Sequence, residues 1–340
     1  AMTLPRQDFE PPRLLLQRWL DADPLRQRAV IKLRAFPEPV YLVGGSVRDA
    51  LLGRAGYDLD VAVAGDALAL GRRLADALGG AYVPLDVAHN VARVVVRRGG
   101  VYHHIDLAGL RADGILADLQ ARDFTINAMA ASLQPTLGDL LDPTGGQGDL
   151  ATHTLRVAYV GAFRDDPLRV LRGVRLAGAL ALSWTPDTEA LAREALPALS
   201  TVSGERRRDE LFNTLALPRA AEAWSYPLAQ EALRAAFPAL REATLSSALQ
   251  ALALFEAHFL CDPVASPWRW LGHFRQALCD YWQEELSVGR QRLALLKLGL
   301  LLAACSHRDA AARQAAHELR LSRQEAAHLR AAVSASPGDG

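Results

Sequence analysis

The residues best placed to do chemistry lie between positions 41 and 63, in the stretch YLVGGSVRDALLGRAGYDLDVAV. Asp58 and Asp60 stand at i and i+2 of a strand-like run. Alternate side chains of a strand point to one face, so the two carboxylates share the geometry needed to hold a divalent metal. Ahead of them, Gly44-Gly45-Ser46 closes a short apolar run and leads into the helix-like VRDALLG. Glycines let a backbone approach a ligand closely, and a helix that follows offers its N-terminal N–H groups to a phosphate. Each feature alone is common, as a plain turn or a solvated strand edge. In this order, within about twenty residues, they set a phosphate cradle beside metal-binding acids.

The elements that must position these groups are legible around them. From Arg13 to about Leu33 the apolar spacing predicts helix, interrupted near Pro24. After Gly65, DALALGRRLADAL has helical spacing, and AYVPL, ARVVVRR and VYHHIDLAG read as three strands. Strand, helix, strand, helix and a meander predict a small mixed sheet with helices on one side. Asp106 falls on the last of those strands, where a neighbouring strand would bring it within about 5 Å of a facing side chain. An edge-strand acid is the plain alternative.

Three further stretches stand out. RDFTINAMA covers Arg122–Ala130, and Asp142-Pro-Thr-Gly-Gly-Gln-Gly-Asp149 reads as a turn. Beyond it, FRDDPLRVLRGVRLAGALAL places Asp166, Arg169, Arg172 and Arg175 three residues apart, which predicts one slowly drifting stripe on a helix. A solvated basic face begun by acids at a helix N-terminus would look the same.

Together these motifs carry a resemblance. GGSVRD followed by DLD is similar to the nucleotidyltransferase motif of the tRNA CCA-adding enzymes and bacterial poly(A) polymerases, members of the DNA polymerase beta superfamily. RDFTINA matches that family residue for residue, although Ala121 stands where it usually has a first arginine. DDPLR resembles the family's EDxxR base-recognition motif with Asp165 in the first place, and SGERRRDELFNTLAL resembles its ERxxxEL motif. The resemblance covers about residues 40–215.

It implies an α/β nucleotidyltransferase head with a mixed sheet, followed by an all-α neck, body and tail. The expected division is an N-terminal arm and helix over 1–38, the head over 39–140, a helical neck over 141–217, and a tRNA-binding body and tail over 218–340. The DPTGGQGD segment is expected to join head to neck as a hinge. Two Mg²⁺ ions are expected on Asp58 and Asp60, with Asp106 as a third metal or catalytic carboxylate. Gly44, Gly45, Ser46 and Arg48 would bind nucleotide, Arg122 would contact its phosphates or ribose, and Asn127 would order the site. Asp166 and Arg169 would read the base, Arg172 and Arg175 would clamp the triphosphate, and Glu205, Arg206 and Glu210 would brace the preceding helix.

The implied activity is that of a class II tRNA nucleotidyltransferase adding CMP residues to tRNA from CTP. Between Arg111 and Asp123 the chain has only the eleven residues ADGILADLQAR. In CCA-adding and A-adding members this interval is longer and carries a flexible loop that helps the site switch from CTP to ATP. The expected product is therefore a CC end, completed by a separate A-adding enzyme. The alternatives are a full CCA-adding enzyme that also takes ATP, a poly(A) polymerase, and a catalytically inactive RNA-binding module.

Composition limits the remaining choices. At 340 residues the chain has room for two or three domains. Cys261, Cys279 and Cys305 are odd in number and far apart, which fits no disulfide framework or zinc spacing. They are expected to be buried thiols in a reducing compartment. No apolar run reaches the length of a membrane span, so a soluble, cytoplasmic protein without a membrane partner is expected. The 38 basic residues balance 38 acidic ones, so any RNA surface must be a local patch. Trp268 and Trp270 are expected to pack in the helical region.

Overall fold

The structure, a computed structural model, describes residues 10–56, 58–111, 113–241, 243–257, 274–287 and 290–334. Cys261, Trp268 and Trp270 lie outside the described residues. Contacts divide the chain into two compact units, Ala1–Val160 and Gly161–Gly340.

The first unit opens with α1 (Pro12–Asp21) and α2 (Pro24–Arg34), separated at Pro24 as the sequence predicts. Proline suits the first helical turn, and Asp23 caps α2 by accepting from the Leu25 and Arg26 N–H groups. There follow β1 (Val40–Val43), α3 (Gly44–Leu51), β2 (Asp58–Val63), α4 (Ala67–Leu78), β3 (Ala81–Asp86), β4 (Val91–Arg98) and β5 (Val101–Gly109). The unit closes with α5 (Ile115–Gln120), a 3₁₀ turn over Thr125–Asn127, β6 (Ala130–Ser132) and α6 (Gly146–Ala151). Six strands form one mixed sheet in the order β3-β4-β5-β2-β1-β6, with β2 parallel to β5 and the other pairs antiparallel.

Alternation divides the work between the two faces of this sheet. Leu59, Val61, Ala92, Val94, Ile105 and Leu107 are buried, and α4 lies against β4 and β5 with Leu70 and Leu74 also buried. Gly71 permits the close approach, because a Cβ there would sit 2.9 Å from the Ala92 Cβ. The alternate residues Asp58, Asp60, Arg93, His104 and Asp106 occupy the other face.

α3 begins at Gly44 itself, so the glycines are the first turn of the helix and not a turn ahead of it. In the DPTGGQGD segment, Asp142 accepts from the Gly146 and Gln147 N–H groups and so starts α6. A Cβ at Gly146 would meet the Thr125 carbonyl oxygen at 2.1 Å, so α6 packs its backbone onto the 3₁₀ turn.

The second unit is predominantly helical. It holds α7 (Ala162–Asp165), α8 (Arg169–Leu180), α9 (Pro186–Ala195), α10 (Gly204–Leu215), α11 (Ala220–Ser225), α12 (Pro227–Ala236) and α13 (Leu245–Phe255). After them come α14 (Arg275–Gln283), α15 (Arg292–Leu302), α16 (Arg308–Glu318) and α17 (Arg323–Ser334). Glu256 is buried and accepts from the Ala220 and Ala221 N–H groups at the start of α11, while Lys297 lies 2.7 Å from it and donates to the Leu217 carbonyl. Hydrogen bonding of this completeness is what makes a buried charge pair tolerable. Cys305 is buried and Cys279 half-buried. Among the described residues no helix is long and apolar enough to cross a membrane.

Candidate active site

Asp58 and Asp60 both lie on β2, and the parallel register sets Asp60 directly beside Asp106 and Asp58 beside His104 on β5. Asp58 is open to solvent, with a carboxylate oxygen 3.1 Å from His104 Nδ1. Asp106 faces Arg93 on β4, whose Nε and Nη2 donate to its two oxygens at 2.7 and 2.8 Å.

The start of α3 is built around Asp60. The Ser46 N–H donates to the Asp60 carboxylate at 3.2 Å, and the Asp60 N–H donates back to the Ser46 hydroxyl at 2.7 Å. Gly44 has φ +63, a backbone conformation that side chains resist. A Cβ at Gly45 would stand 2.9 Å from Asp60 Oδ2. A side chain there would force the Asp60 carboxylate to move. Ser46 is buried, with its hydroxyl committed to the backbone of β2.

Two arginines converge on this loop. Arg48 donates to the Asn127 side-chain oxygen at 2.8 Å, and Asn127 in turn donates to Asp123 at 3.3 Å, so Asn127 orders Arg48. The tip of Arg122 lies 3.2 Å from where a Gly44 Cβ would be. It is held there by Asp118, a buried acid that takes Arg122 Nε and Nη2 at 3.1 and 3.0 Å and the Arg111 N–H at 3.0 Å. Asp118 is not among the residues that the sequence motifs single out. Its signal is an aspartate four residues before an arginine, the spacing of an ion pair on one helical turn. Gly44, Gly45, Ser46, Arg48, Asp60, Arg122 and Asn127 therefore form one cluster, with Asp58 and Asp106 on the sheet beside it.

The second unit holds the other predicted group. Arg169, Arg172 and Arg175 lie on α8, but Asp166 does not share their helix. It sits in a break between α7 and α8 with φ −148 and ψ 100, because a residue before proline is pushed out of the helical region, and Pro167 follows. Its Oδ1 accepts from the Leu168 N–H at 3.2 Å and its Oδ2 from Arg206 at 2.8 Å. Arg175 donates to Glu210 at 2.8 Å, and Ser203 caps α10 as its sequence position predicts. Of the α10 residues expected to brace this region, Glu210 contacts the arginine helix through Arg175, and Arg206 contacts Asp166 ahead of it.

Electrostatics single out Asp60. Desolvation of its carboxylate pushes its pKa up, the Asp106 charge adds to this, and the Ser46 N–H and Arg48 oppose it. A half-buried acid beside two more acids is a place where a divalent cation would offset surplus negative charge. The donors are hard oxygens, which suit Mg²⁺, and Mg²⁺ characteristically takes one or two carboxylates with waters and substrate phosphates in place of an all-protein cage. Among the described residues no three His, Cys, Asp or Glu side chains gather as a metal cage. Asp58 and Asp60 fit as its protein ligands.

A mixed sheet carrying paired acids beside a Gly-Gly-Ser helix start defines a nucleotidyltransferase head. The profile of the Poly A polymerase head domain matches residues 40–116 and 110–156, so this part of the chain is a head of that type. Its relatives include a CC-adding tRNA nucleotidyltransferase of Geobacter sulfurreducens, 46% identical over 180 residues, which are 53% of this chain and 41% of that protein. An A-adding tRNA nucleotidyltransferase of Halalkalibacterium halodurans is 37% identical over 193 residues, covering 51% of this chain and 44% of its own. The chain spans less than half the length of either relative. A solved structure of a CCA-adding enzyme with ATP matches at a TM-score of 0.70 and 26% identity, over 96% of this chain and 74% of that one.

Proposed function

We propose that the chain is a template-independent RNA nucleotidyltransferase that adds CMP residues to the tRNA 3′ end from CTP, releases pyrophosphate, and stops after two cytidines. The observation that carries this reading is the Asp60 carboxylate, set on one strand face with Asp58 and closed against the Gly45 backbone under Arg48 and Arg122. In this reading Asp58 and Asp60 hold Mg²⁺, which when bound supplies charge neutralisation at the reacting phosphate and activation of the attacking hydroxyl. Arg48 and Arg122, each fixed by a neighbour, orient the triphosphate. No covalent intermediate is required, since positioning and electrostatics suffice for this reaction class.

Base choice falls to Asp166 and Arg169. Cytosine presents an amino donor and ring acceptors, which a carboxylate and a guanidinium can satisfy together. Uracil presents a carbonyl where cytosine has its amine, leaving the carboxylate opposite an acceptor. The helical region beyond residue 217 serves as the body and tail that bind tRNA.

The stop after two cytidines rests on the interval between Arg111 and Asp123. Its six-residue α5 has Asp118 and Leu119 buried, and Asp118 pins both Arg111 and Arg122. A segment tied this way cannot serve as the lever that refits the site from cytosine to the larger adenine. The likeness to a CCA-adding enzyme with ATP favours a second reading in which the chain also takes ATP. Incubating the protein with CTP, ATP and a tRNA lacking its last three nucleotides, then sequencing the ends, separates the two. Ends terminating in CC are expected, and efficient formation of CCA ends would contradict the stop.

A glycine substitution tests the cradle. Gly45→Ala is expected to displace the Asp60 carboxylate and lower CMP transfer by about a hundredfold, the cost of misplacing a reacting group by about 1 Å. Its backbone is unstrained, so circular dichroism should report an unchanged fold. Near-normal turnover in this variant would show that the close approach of Gly45 to Asp60 has no functional weight.

A further inference from the structure

Arg93 is neither a cation ligand nor a phosphate contact in this reading, yet it is bound directly to one of the three acids of the site. β4 reads VARVVVRR, and a charged side chain in the middle of that apolar run needs a reason. It sits on the sheet face that carries the three acids, in direct cross-strand register with Asp106. Nε meets Oδ1 at 2.7 Å and Nη2 meets Oδ2 at 2.8 Å, the two-pronged geometry that a guanidinium offers and an ammonium cannot. Both prongs are used on this one carboxylate, and both carboxylate oxygens are engaged. Asp58 is turned differently, with its oxygen on His104, and Asp60 faces the helix start. The Arg93 guanidinium is held more firmly in its charged form by Asp106 first, with Asp58 and Asp60 adding to the effect. It therefore lies in the field of all three acids.

We propose that Arg93 withholds the Asp106 carboxylate from the cation site, so that Asp58 and Asp60 alone supply protein ligands while Asp106 stays oriented and charge-balanced beside them. The proposal rests on the reading of Asp58 and Asp60 as cation ligands. Ligand charge count sets how tightly a hard cation is held. A third carboxylate would tighten the site, which is unhelpful where a cation must also share its coordination with substrate phosphates and then release pyrophosphate. Arg93 is in this sense a positioning residue acting through Asp106.

The consequence is unusual for a loss-of-contact substitution. Arg93→Ala frees Asp106 to join the cation, so Mn²⁺ is expected to bind about tenfold more tightly, while CMP transfer falls. The freed carboxylate should also displace one water from the bound ion. The test titrates Mn²⁺ into the full chain by electron paramagnetic resonance and counts coordinated waters with ¹⁷O-labelled water, for the unaltered protein, Arg93→Ala and Arg93→Gln. Arg93→Gln retains a long polar side chain and guards against a packing defect in the alanine variant. Tighter binding with one fewer water in both variants is the expected result. Unchanged or weaker binding would overturn the proposal, and so would tighter binding with the same water count, which would reduce Arg93 to a nearby repelling charge. These readings do not require turnover. If the unaltered protein binds Mn²⁺ through Asp58 and Asp60 yet transfers no CMP, the nucleotidyltransferase reading fails while the Arg93 result still stands or falls separately.

Discussion

Asp60→Asn is expected to lower nucleotide addition by at least about a hundredfold, the scale of losing one preorganised electrostatic group at a reacting centre, and to leave the folded protein more stable in metal-free buffer. The two effects have one cause. Burial and the neighbouring Asp106 make the Asp60 carboxyl bind its proton more tightly in the folded chain than in the unfolded one. Stability therefore falls as pH rises from the ordinary carboxylate range through the raised pKa, and above it the ionised group remains a standing cost. Asparagine keeps an oxygen for the Ser46 N–H and removes the charge. A thermal melt near neutral pH, run beside a CMP-transfer assay, checks both halves. Near-normal transfer with Mg²⁺ would remove Asp60 from the cation site, and a lower melting temperature would show that the acid is stabilising.

Asp166→Ala and Arg169→Ala are expected to relax the choice of nucleotide more than they weaken tRNA binding. An unpaired polar group facing the wrong base costs roughly 1–3 kcal/mol, so discrimination against UTP should drop by about ten- to a hundredfold. Asp166 is well prepared for this part, because Arg206 and the Leu168 N–H fix both of its oxygens. Competition between CTP and UTP in single-nucleotide addition gives the ratio directly. An unchanged ratio in both variants would return this group to a solvated face.

Much of the site is legible in the amino-acid sequence because it is local. Asp58 and Asp60 share a face by strand alternation alone, and five of the six strands follow from the order of apolar runs, whereas the three-residue β6 has no such run to mark it. Helical spacing misplaces Asp166 onto the arginine helix although Pro167 stands next to it, and proline's effect on its predecessor outweighs a spacing that otherwise fits. Asp118 is hidden among the polar residues of a short interval. Arg93 is recoverable in principle. Gly99 and Gly100 take the positive φ values of a two-residue hairpin turn, and counting outward from such a turn pairs Arg93 with Asp106. The parallel pairing of β2 with β5 has no such local mark. It is made across an intervening helix and hairpin, so the nearness of Asp60 to Asp106 emerges only from the assembled sheet.

The central claim is tested most directly by counting pyrophosphate released when the protein meets CTP, ATP, Mg²⁺ and a tRNA lacking its last three nucleotides. About two equivalents per tRNA, abolished by Asp60→Asn, are predicted by transfer on the paired acids with a stop after CC. Release of none, or release that survives Asp60→Asn, would contradict it.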